Sequence, residues 1–459
     1  MERWPHVVAI AFPAQGHVGP LLKLSCQIAR QGIRVTFVST ASVHARMLQA
    51  SGDGDCCCWG EIERATVLEG MEEVKDMGDK EEVAETRAKV MSRHFQELLR
   101  EMNSSRDERV TCVVADATIG WAFEVANSMG IKRAMFWPTA VPGLVLSLSI
   151  PRLTEAGMID DCGSASKDTA IQLSPELPAV KATDLLWRCP GDQLRQAIIF
   201  GYCMTVNRTV RISNWLLCNS FYELDRATCV LIPELLPVGP LTSADGLGSF
   251  WAEDLTCLNW LDLQPPKSVI YAAFGSIAAF SQNQFEELAL GLELSGRPFL
   301  WVVRSDFTNE DEIRYPDGFS ERVSDRAKIV SWAPQEKVLA HPSVSCFVTH
   351  CGWNSTMEGI SSGVPFLCWP YFADQFYNRS YICDTLKVGL ELEAGEAEIV
   401  VSRHKIQAQL ERLLSDAQIK ENAEMLRGMA KRSVSEGGSS STNVRHFVEQ
   451  LKRCSEAGP

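Results

Sequence analysis

Short apolar runs alternate with amphipathic stretches along the chain, a pattern typical of a parallel sheet with helices on both faces. In the first part, each predicted strand is followed by a predicted helix, which indicates repeated βαβ units and a doubly wound half. A Gly/Pro turn follows the first strand, and the first helix ends at Gly32. These elements are strands at 6–12, 33–39, 109–116 and 131–137, and helices at 20–31 and 119–130.

The pattern weakens between about 160 and 215, resumes with a strand at 215–220, and is then interrupted by a Pro/Gly/Ser-rich stretch at 233–251. A second βαβ series follows, and the chain ends in helical patterns from about 402 to 454. The second series comprises strands at 268–276, 298–303, 328–332, 344–350 and 364–370, and helices at 282–296, near 353–362 and at 374–386. The fold class predicted is α/β, with two doubly wound Rossmann-like domains facing across a cleft, which is the expected ligand site.

Composition excludes several classes of protein. Hydrophobic residues make up 46% and charged residues 22%, as in ordinary globular chains. The formal net charge of −14 disfavours binding to nucleic acid or to an anionic membrane. The 16 cysteines are scattered over the chain, which is typical of reduced thiols, and the longest apolar stretch, 138–151, is too short to span a bilayer. We therefore expect a cytoplasmic protein without a signal peptide or membrane insertion.

The densest chemical pattern lies at 332–375. The strand at 344–350 delivers His350 at its carboxyl end, and the next helix begins near 353–355, where N–H groups without intrahelical partners favour a phosphate. Asn354, Ser355 and Glu358 share one side of that helix. Simple capping by Asn354 or Ser355 is the alternative. The segment has a formal charge of −2 and no Arg, so neutral donors would have to hold a diphosphate, and salt should weaken its binding only modestly.

Two further residues suggest acid–base chemistry in the first half. His17 is predicted to lie in a Gly-flanked turn between a strand and a helix, where the helix N-terminus disfavours the imidazolium form. Asp116 ends a predicted strand and is the natural partner to orient the ring. A purely structural role for His17 is the alternative.

The segment 332–375 resembles the signature box of the plant secondary-product UDP-glycosyltransferases, family 1 enzymes with the GT-B fold. The resemblance implies inverting, metal-independent transfer of glucose from UDP-glucose to a hydroxyl of a small apolar metabolite (a phenolic, flavonoid or terpenoid), giving a β-glucoside. It implies a UDP-sugar donor and an aglycone acceptor as partners, and no cofactor. We expect a monomer.

The same resemblance assigns roles to individual residues. His17 would be the general base and Asp116 its orienter. In the donor site, the diphosphate would be bound by Ser276, His350, Asn354 and Ser355, and the ribose by Glu358. Trp332 would stack on the uracil, while Gln335 and the backbone of Ala333 would recognise uracil and ribose together. Asp374 and Gln375 would hold the sugar, with Thr139 as a weaker sugar contact, and Trp353 lies in the same box. Gly19 departs from the family pattern, which often has Asn there. In isolation, a core position is the favoured interpretation of Trp332, and capping alone is an alternative for Asp374.

We predict an acceptor-binding domain at 1–235, a linker at 236–260, a UDP-sugar-binding domain at 261–440, and a helix at 441–459 that packs back on the first domain. Five large residues in the first domain fit either an apolar acceptor pocket or the core: Phe95, Trp137, Leu144, Trp187 and Phe200.

Two other functions stay open. A non-catalytic nucleotide-sugar binder would use the same residues without turnover. A dinucleotide-dependent oxidoreductase would need the fingerprint G-x-G-x-x-G after the first strand, which is missing. The acidic run at 309–312 lacks partners for a metal site.

Overall fold

We describe the protein from a computed structural model, which describes residues 5–51, 60–71, 80–104, 109–166, 169–242, 249–308, 313–392 and 400–456. The chain divides into two compact units. Unit 1 comprises 1–182, 189–252 and 432–459, and unit 2 comprises 183–188 and 253–431. The acidic run at 309–312 lies outside the described residues.

Unit 1 is built on a seven-stranded parallel sheet. The strands of unit 1 are β1 (His6–Ile10), β2 (Arg34–Thr40), β3 (Glu63–Val67), β4 (Cys112–Asp116), β5 (Lys132–Trp137), β6 (Ala170–Ile171), β7 (Val180–Lys181), β8 (Trp215–Cys218) and β9 (Leu235–Pro237). Of these, β6 and β7 form a separate antiparallel pair. The order across the large sheet is β3-β2-β1-β4-β5-β8-β9. The helices up to this point are α1 (Gln15–Ala29), α2 (Ala41–Ser51), α3 (Lys80–Met102), α4 (Gly120–Ser128), α5 (Val141–Glu155), α6 (Gln193–Ile212) and α7 (Arg226–Cys229).

Unit 2 contains a six-stranded parallel sheet in the order β12-β11-β10-β13-β14-β15. These strands are β10 (Val269–Ala273), β11 (Phe299–Val302), β12 (Ala327–Val330), β13 (Val344–Thr349), β14 (Phe366–Cys368) and β15 (Gly389–Glu391). Its helices are α8 (Thr256–Asp262), α9 (Gln282–Leu294), α10 (Phe319–Arg322), α11 (Gln335–Leu339), α12 (Trp353–Ser362), α13 (Asp374–Ser380), α14 (Arg403–Ser415) and α15 (Ala417–Val434), and one π-helical turn (Tyr381–Thr385) continues α13.

The last helix, α16 (Ser439–Glu456), belongs to unit 1. Its apolar side, including Phe447 and Leu451, packs in a core cluster with Val7 and Ala9 of β1. Alternate residues of the same strand, Val8 and Ile10, lie in a second cluster. Because successive side chains of a strand point to opposite faces, both faces of the sheet are buried. The doubly wound α/β architecture predicted from the sequence is confirmed.

In both sheets the strand order reverses beside the first strand of the unit. In unit 1 the reversal lies between β1 and β4, and in unit 2 it lies between β10 and β13. Connections that leave such a pair of strands diverge to opposite faces, and ligands of open α/β sheets bind at the carboxyl ends there. Functional side chains are therefore expected among the residues that follow β1, β4, β10 and β13.

The structure corrects two predictions of local structure. α1 begins at Gln15 rather than at Pro20, because the N–H groups of His17 and Val18 both donate to the carbonyl of Ala14, at 3.0 and 2.9 Å. His17 thus lies in the first turn of a helix and not in the preceding turn. The weak pattern between 160 and 215 contains the 20-residue helix α6.

Candidate active site

His17 and Asp116 form a hydrogen-bonded pair in unit 1. His17 follows β1, Asp116 ends the adjacent strand β4, and His17 Nδ1 lies 2.7 Å from Asp116 Oδ2. The Asp116 side chain is fully buried, whereas that of His17 keeps 29% exposure. If Nδ1–H donates to the carboxylate, the lone pair of the neutral ring lies on Nε2, which is the nitrogen able to accept a proton.

Thr118 fixes the other oxygen of the carboxylate. Asp116 Oδ1 accepts hydrogen bonds from the backbone N–H of Thr118 at 2.9 Å and from its hydroxyl at 2.7 Å. The carboxylate therefore has donors on both oxygens, and its plane is set before any substrate binds. Thr118 was not predicted as a site residue, although Asp-x-Thr after a strand is a signal for a side-chain turn.

An aromatic pair lies next to His17 and touches it through Phe12. The Phe12 ring lies 5.2 Å from the imidazole, and Tyr202 of α6 packs edge-on against Phe12 at 5.4 Å. Phe12 and Tyr202 are each half-buried, and burial raises the pKa of the Tyr202 phenol. Thr139 is half-buried and follows β5, the next strand after β4, so it lies at the same edge of the sheet.

In unit 2, Gln335 is the centre of a hydrogen-bond network. Its amide nitrogen donates to Ser355 Oγ and to Glu358 Oε2, both at 2.7 Å. The Tyr271 hydroxyl lies 3.2 Å from the amide oxygen and donates to it. Burial, and then the charge of Glu358, raise the pKa of Tyr271, so this donor stays protonated. Tyr271 thereby fixes which way the amide of Gln335 points.

Trp332 and Ala333 connect β12 to this network. Trp332 is half-buried and its carbonyl accepts a hydrogen bond from the N–H of Asp254 at 3.0 Å, while Ala333 is buried. Trp332 thus stands at the carboxyl end of an edge strand, with part of its side chain exposed. A fully buried indole would have favoured a role in the core, whereas a partly exposed one is compatible with stacking on a base.

His350 lies against two glycines at the β10/β13 reversal. A Cβ atom added to Gly275 or to Gly352 would come within 2.5 Å of His350 Nε2, so both positions need the absence of a side chain. Gly275 also has φ +67°, which favours glycine. Burial, and then the charge of Arg304, lower the pKa of His350 to about 4, so the ring is neutral at pH 7. Among the described residues, its buried Nδ1 has no hydrogen-bond partner.

Arg304 supplies a positive charge that the sequence analysis missed. It is buried, donates to the carbonyls of Gly275 and Ala278 (Nη2 to the latter at 2.8 Å), and pairs through Nε with Asp306 at 2.8 Å. These contacts hold the turn after β10 that carries Ser276, which is half-buried. A charged residue two positions after a buried strand was the available signal.

The N-cap position of α12 is held by a glycine. Its N-cap residue is Gly352, without a side-chain hydrogen bond to the helix. Asn354 is half-buried near the helix start and Ser355 is buried, while the indole of Trp353 is buried with its ring 6.3 Å from that of Tyr381. The N-cap residue is thus Gly352 and neither Asn354 nor Ser355, the two residues of the capping alternative. The first turn keeps the character of an anion site.

Asp374 and Gln375 begin α13 after β14. Asp374 Oδ2 accepts a hydrogen bond from Asn378 Nδ2 at 3.0 Å, and the same nitrogen lies 2.9 Å from the carbonyl of Cys351. The Gln375 oxygen accepts from the N–H groups of Tyr371 and Phe372, at 2.8 and 3.1 Å. Asp374 thus presents an acceptor, and Gln375 retains its amide NH₂ as a donor. Asn378, four residues after Asp374, was also missed.

Comparisons with known proteins agree over the whole chain. Residues 205–433 match the model of the family "UDP-glucoronosyl and UDP-glucosyl transferase", and residues 6–55 match the model "Glycosyltransferase, N-terminal domain". UDP-glycosyltransferase 83A1 of Arabidopsis thaliana is 39% identical over 98% of this chain and 97% of its own length. The chain belongs to the plant UDP-glycosyltransferase family.

Two further relatives of this UDP-glycosyltransferase are informative. Gallate 1-beta-glucosyltransferase 84A24 of Punica granatum is 33% identical over 99% of this chain and 90% of its own length. A structure of Phytolacca americana UGT2 complexed with UDP-2fluoro-glucose and pterostilbene has a TM-score of 0.83 and 26% identity, and the match covers 98% of this chain and 99% of that one. The similarity to this and other plant enzymes confirms the GT-B fold.

The structure places the predicted residues of this glycosyltransferase in two groups, one at the strand ends of each unit. The five large residues considered for an acceptor pocket are all buried. Phe95, Trp137 and Leu144 share one core cluster of unit 1, and Trp187 belongs to unit 2. By contrast, Phe12 is half-buried with its ring beside His17, and the half-buried Tyr202 packs against Phe12.

Within the described part of the glycosyltransferase, no helix is long and apolar enough to cross a membrane. Among the same residues, no group of three or more His, Cys, Asp or Glu side chains is placed to hold a metal ion.

Proposed function

We propose that this enzyme transfers glucose from UDP-glucose to a hydroxyl group of a small apolar aglycone, with inversion, to give a β-glucoside. The acceptor oxygen forms a bond to the anomeric carbon from the face opposite UDP. The bond between that carbon and the diphosphate oxygen breaks, and its electron pair leaves with UDP. The acceptor proton moves to His17 Nε2.

The pair of His17 and Asp116 carries the proposal. Asp116 holds the ring through Nδ1 at 2.7 Å and would stabilise the imidazolium that forms as the proton arrives. Such positioned general bases typically contribute about 10²- to 10⁴-fold to rates. A protein that only bound nucleotide sugars would have no use for a buried carboxylate with donors on both oxygens, aimed at a partly exposed imidazole.

The departing diphosphate would be stabilised by neutral donors. The first turn of α12, which follows the N-cap glycine Gly352, would supply N–H groups at Trp353, Asn354 and Ser355. His350 is neutral, and its buried Nδ1 has no partner among the described residues. In the tautomer that carries the proton on Nδ1, this nitrogen would donate a hydrogen bond to a phosphate oxygen. Ser276 lies on the turn that Arg304 holds. Groups fixed in place before reaction stabilise developing charge most effectively.

The nucleoside and the sugar would have separate sites. Trp332 would stack on uracil, a contact that is typically worth about 1–3 kcal/mol per base. Ala333, through its backbone, and Gln335 would recognise uracil and ribose, and Glu358 would accept from the ribose hydroxyls. Asp374 as acceptor and Gln375 as donor suit adjacent sugar hydroxyls, with Thr139 as a further contact.

The acceptor proposed is an apolar aromatic compound with a hydroxyl group, because the half-buried Phe12 ring lies beside the base and the half-buried Tyr202 ring packs against Phe12. Two relatives support this class. One is named for gallate, and the UGT2 structure contains pterostilbene together with a UDP-glucose analogue.

A turnover assay combined with calorimetry distinguishes the proposed enzyme from a protein that binds nucleotide sugars without converting them. The enzyme should bind UDP and convert UDP-glucose together with at least one member of a phenolic panel into UDP and a β-glucoside. Binding of UDP without glucoside formation across phenolic, flavonoid and terpenoid acceptors would favour a nucleotide-sugar sensor instead.

A further inference from the structure

A six-residue segment of the first half of the chain, 183–188, belongs to unit 2. It follows the short β7 strand and begins within a 3₁₀ turn (Ala182–Asp184). The flanking residues on both sides, up to 182 and from 189, belong to unit 1. We call 183–188 the inserted segment. Both ends of the segment contact α13, the helix that begins with Asp374 and Gln375, or the residue directly before it.

A buried ion pair attaches the first end of the inserted segment to α13. Asp184 Oδ1 accepts from Arg379 Nη2 at 2.7 Å, and Asp184 Oδ2 accepts from the hydroxyl of Ser380 at 2.8 Å. The side chains of Asp184 and Arg379 are only 4% and 8% exposed. Arg379 also pairs with Glu391, whose side chain is 50% exposed. Removing one partner of a buried pair leaves the other charge uncompensated, so this contact strongly determines the local arrangement.

Arg188 attaches the other end of the segment to the start of α13. Its carbonyl accepts a hydrogen bond from the N–H of Ala373 at 2.7 Å. Its guanidinium lies 4.5 Å from the centre of the Phe376 ring, a cation–π distance, and donates to the carbonyl of Thr183 at 2.8 Å. The inserted segment thus holds the residue before Asp374 and the residues at the end of the same helix.

Ala373 has an unusual backbone conformation, with φ 55° and ψ −136°. This region is strained for any residue with a Cβ atom and persists only where surrounding contacts enforce it. The hydrogen bond from Ala373 N–H to Arg188 is such a contact. The conformation directs the chain from β14 into α13 and so sets where the side chains of Asp374 and Gln375 point.

We infer that the inserted segment is a positioning element for the donor sugar: through Asp184 and the carbonyl of Arg188 it holds Ala373 and α13 so that Asp374 and Gln375 meet the sugar hydroxyls. The inference rests on the proposed function, in which those two residues hold glucose. The contacts of the segment described above fall on Ala373, Phe376, Arg379 and Ser380, in α13 or directly before it. Disturbing it therefore weakens recognition of the sugar and not of the nucleotide.

Calorimetric titration with UDP and with UDP-glucose, without acceptor, tests this inference on Asp184→Asn. The matched control is Glu391→Gln, which alters the half-exposed partner of the same guanidinium. Ser380→Ala is a milder variant, since it removes one hydrogen bond to Asp184 and keeps both charges. Thermal unfolding of each variant reports its stability.

In Asp184→Asn we expect unchanged UDP affinity and a loss of about ten- to a hundredfold in UDP-glucose affinity, the range for one or two hydrogen bonds to charged groups. Ser380→Ala should shift the same ratio less, and Glu391→Gln should leave both affinities unchanged. Equal losses for both ligands, or none, would overturn the inference and leave the segment a structural support. If Asp184→Asn does not fold, the ratio in Ser380→Ala decides. Wild-type protein that bound neither ligand would contradict the proposed function itself.

Discussion

The imidazole Nδ1 of His17 lies 2.7 Å from Oδ2 of Asp116, although 99 positions separate the two residues along the chain. They meet because β1 and β4 are adjacent at the point where the strand order reverses. The same topology in unit 2 places the turn after β10 beside His350 after β13. Each half of the enzyme thus has candidate site residues at its own switch point.

Asp116→Asn should lower kcat for glucoside formation by about 10²- to 10⁴-fold, because the amide cannot stabilise the imidazolium. UDP affinity, measured by calorimetry, should not change. Thr118→Val is the matched control: it removes one hydroxyl donor from Asp116 Oδ1 and keeps the charge, so a loss of only a few-fold is expected. Equal losses in both variants would show that the charge of Asp116 is not what matters.

Tyr271→Phe should weaken UDP binding by about five- to tenfold, because a buried donor to the oxygen of Gln335 is lost and its amide is freed to turn. The stacking of the ring on Phe347 is retained. Tyr315→Phe is a control in the same unit, where the ring packs against Phe319, and it should bind UDP as wild type does. Unchanged UDP affinity in Tyr271→Phe would show that the orientation of Gln335 by Tyr271 does not matter for UDP binding.

His350 should make the enzyme less stable in mild acid. Its pKa is about 4 in the folded protein against 6.5 for an ordinary histidine, so between these values the unfolded chain binds more protons. The penalty is absent above pH 6.5, grows as the pH falls, and reaches up to about 2 kcal/mol at pH 5.

The test of His350 compares chemical denaturation of wild type and His350→Asn at pH 7 and pH 5. The free energy of unfolding lost between pH 7 and pH 5 should be smaller in the variant by up to about 2 kcal/mol, since the other titrating groups are common to both proteins. Parallel losses would mean that His350 is not held neutral by its surroundings.

The sequence predicted most strands of the two large sheets, though not β3, β9 or β15, and the box at 332–375, because their signals are local: continuous apolar runs, glycines and a helix start. It also predicted that Asp116 would partner His17, since strand ends of a parallel sheet share an edge. Positions fixed by contacts distant in sequence were missed. Arg304 reaches the carbonyls of a turn 26 and 29 residues earlier, and Asp184 pairs with a residue 195 positions later.

Helix α6 was missed for a related reason. It contains Gly201 and several β-branched residues, including Thr205 and Thr209, which lower its intrinsic helix propensity. Tertiary packing decides instead: a Cβ at Gly120 of α4 would lie 2.5 Å from Thr205, so the two helices approach closely. Such an approach depends on residues 85 positions apart and leaves no local periodic signal.

The most direct test of the central claim measures glucoside formation and UDP affinity on the same preparations of wild type and His17→Ala. The account predicts that the variant binds UDP as wild type does, because His17 belongs to unit 1 and makes no assigned contact with the nucleotide. It predicts that transfer to a phenolic hydroxyl falls by at least about 10²-fold. Wild-type transfer rates in His17→Ala would contradict the assignment of His17 as the general base.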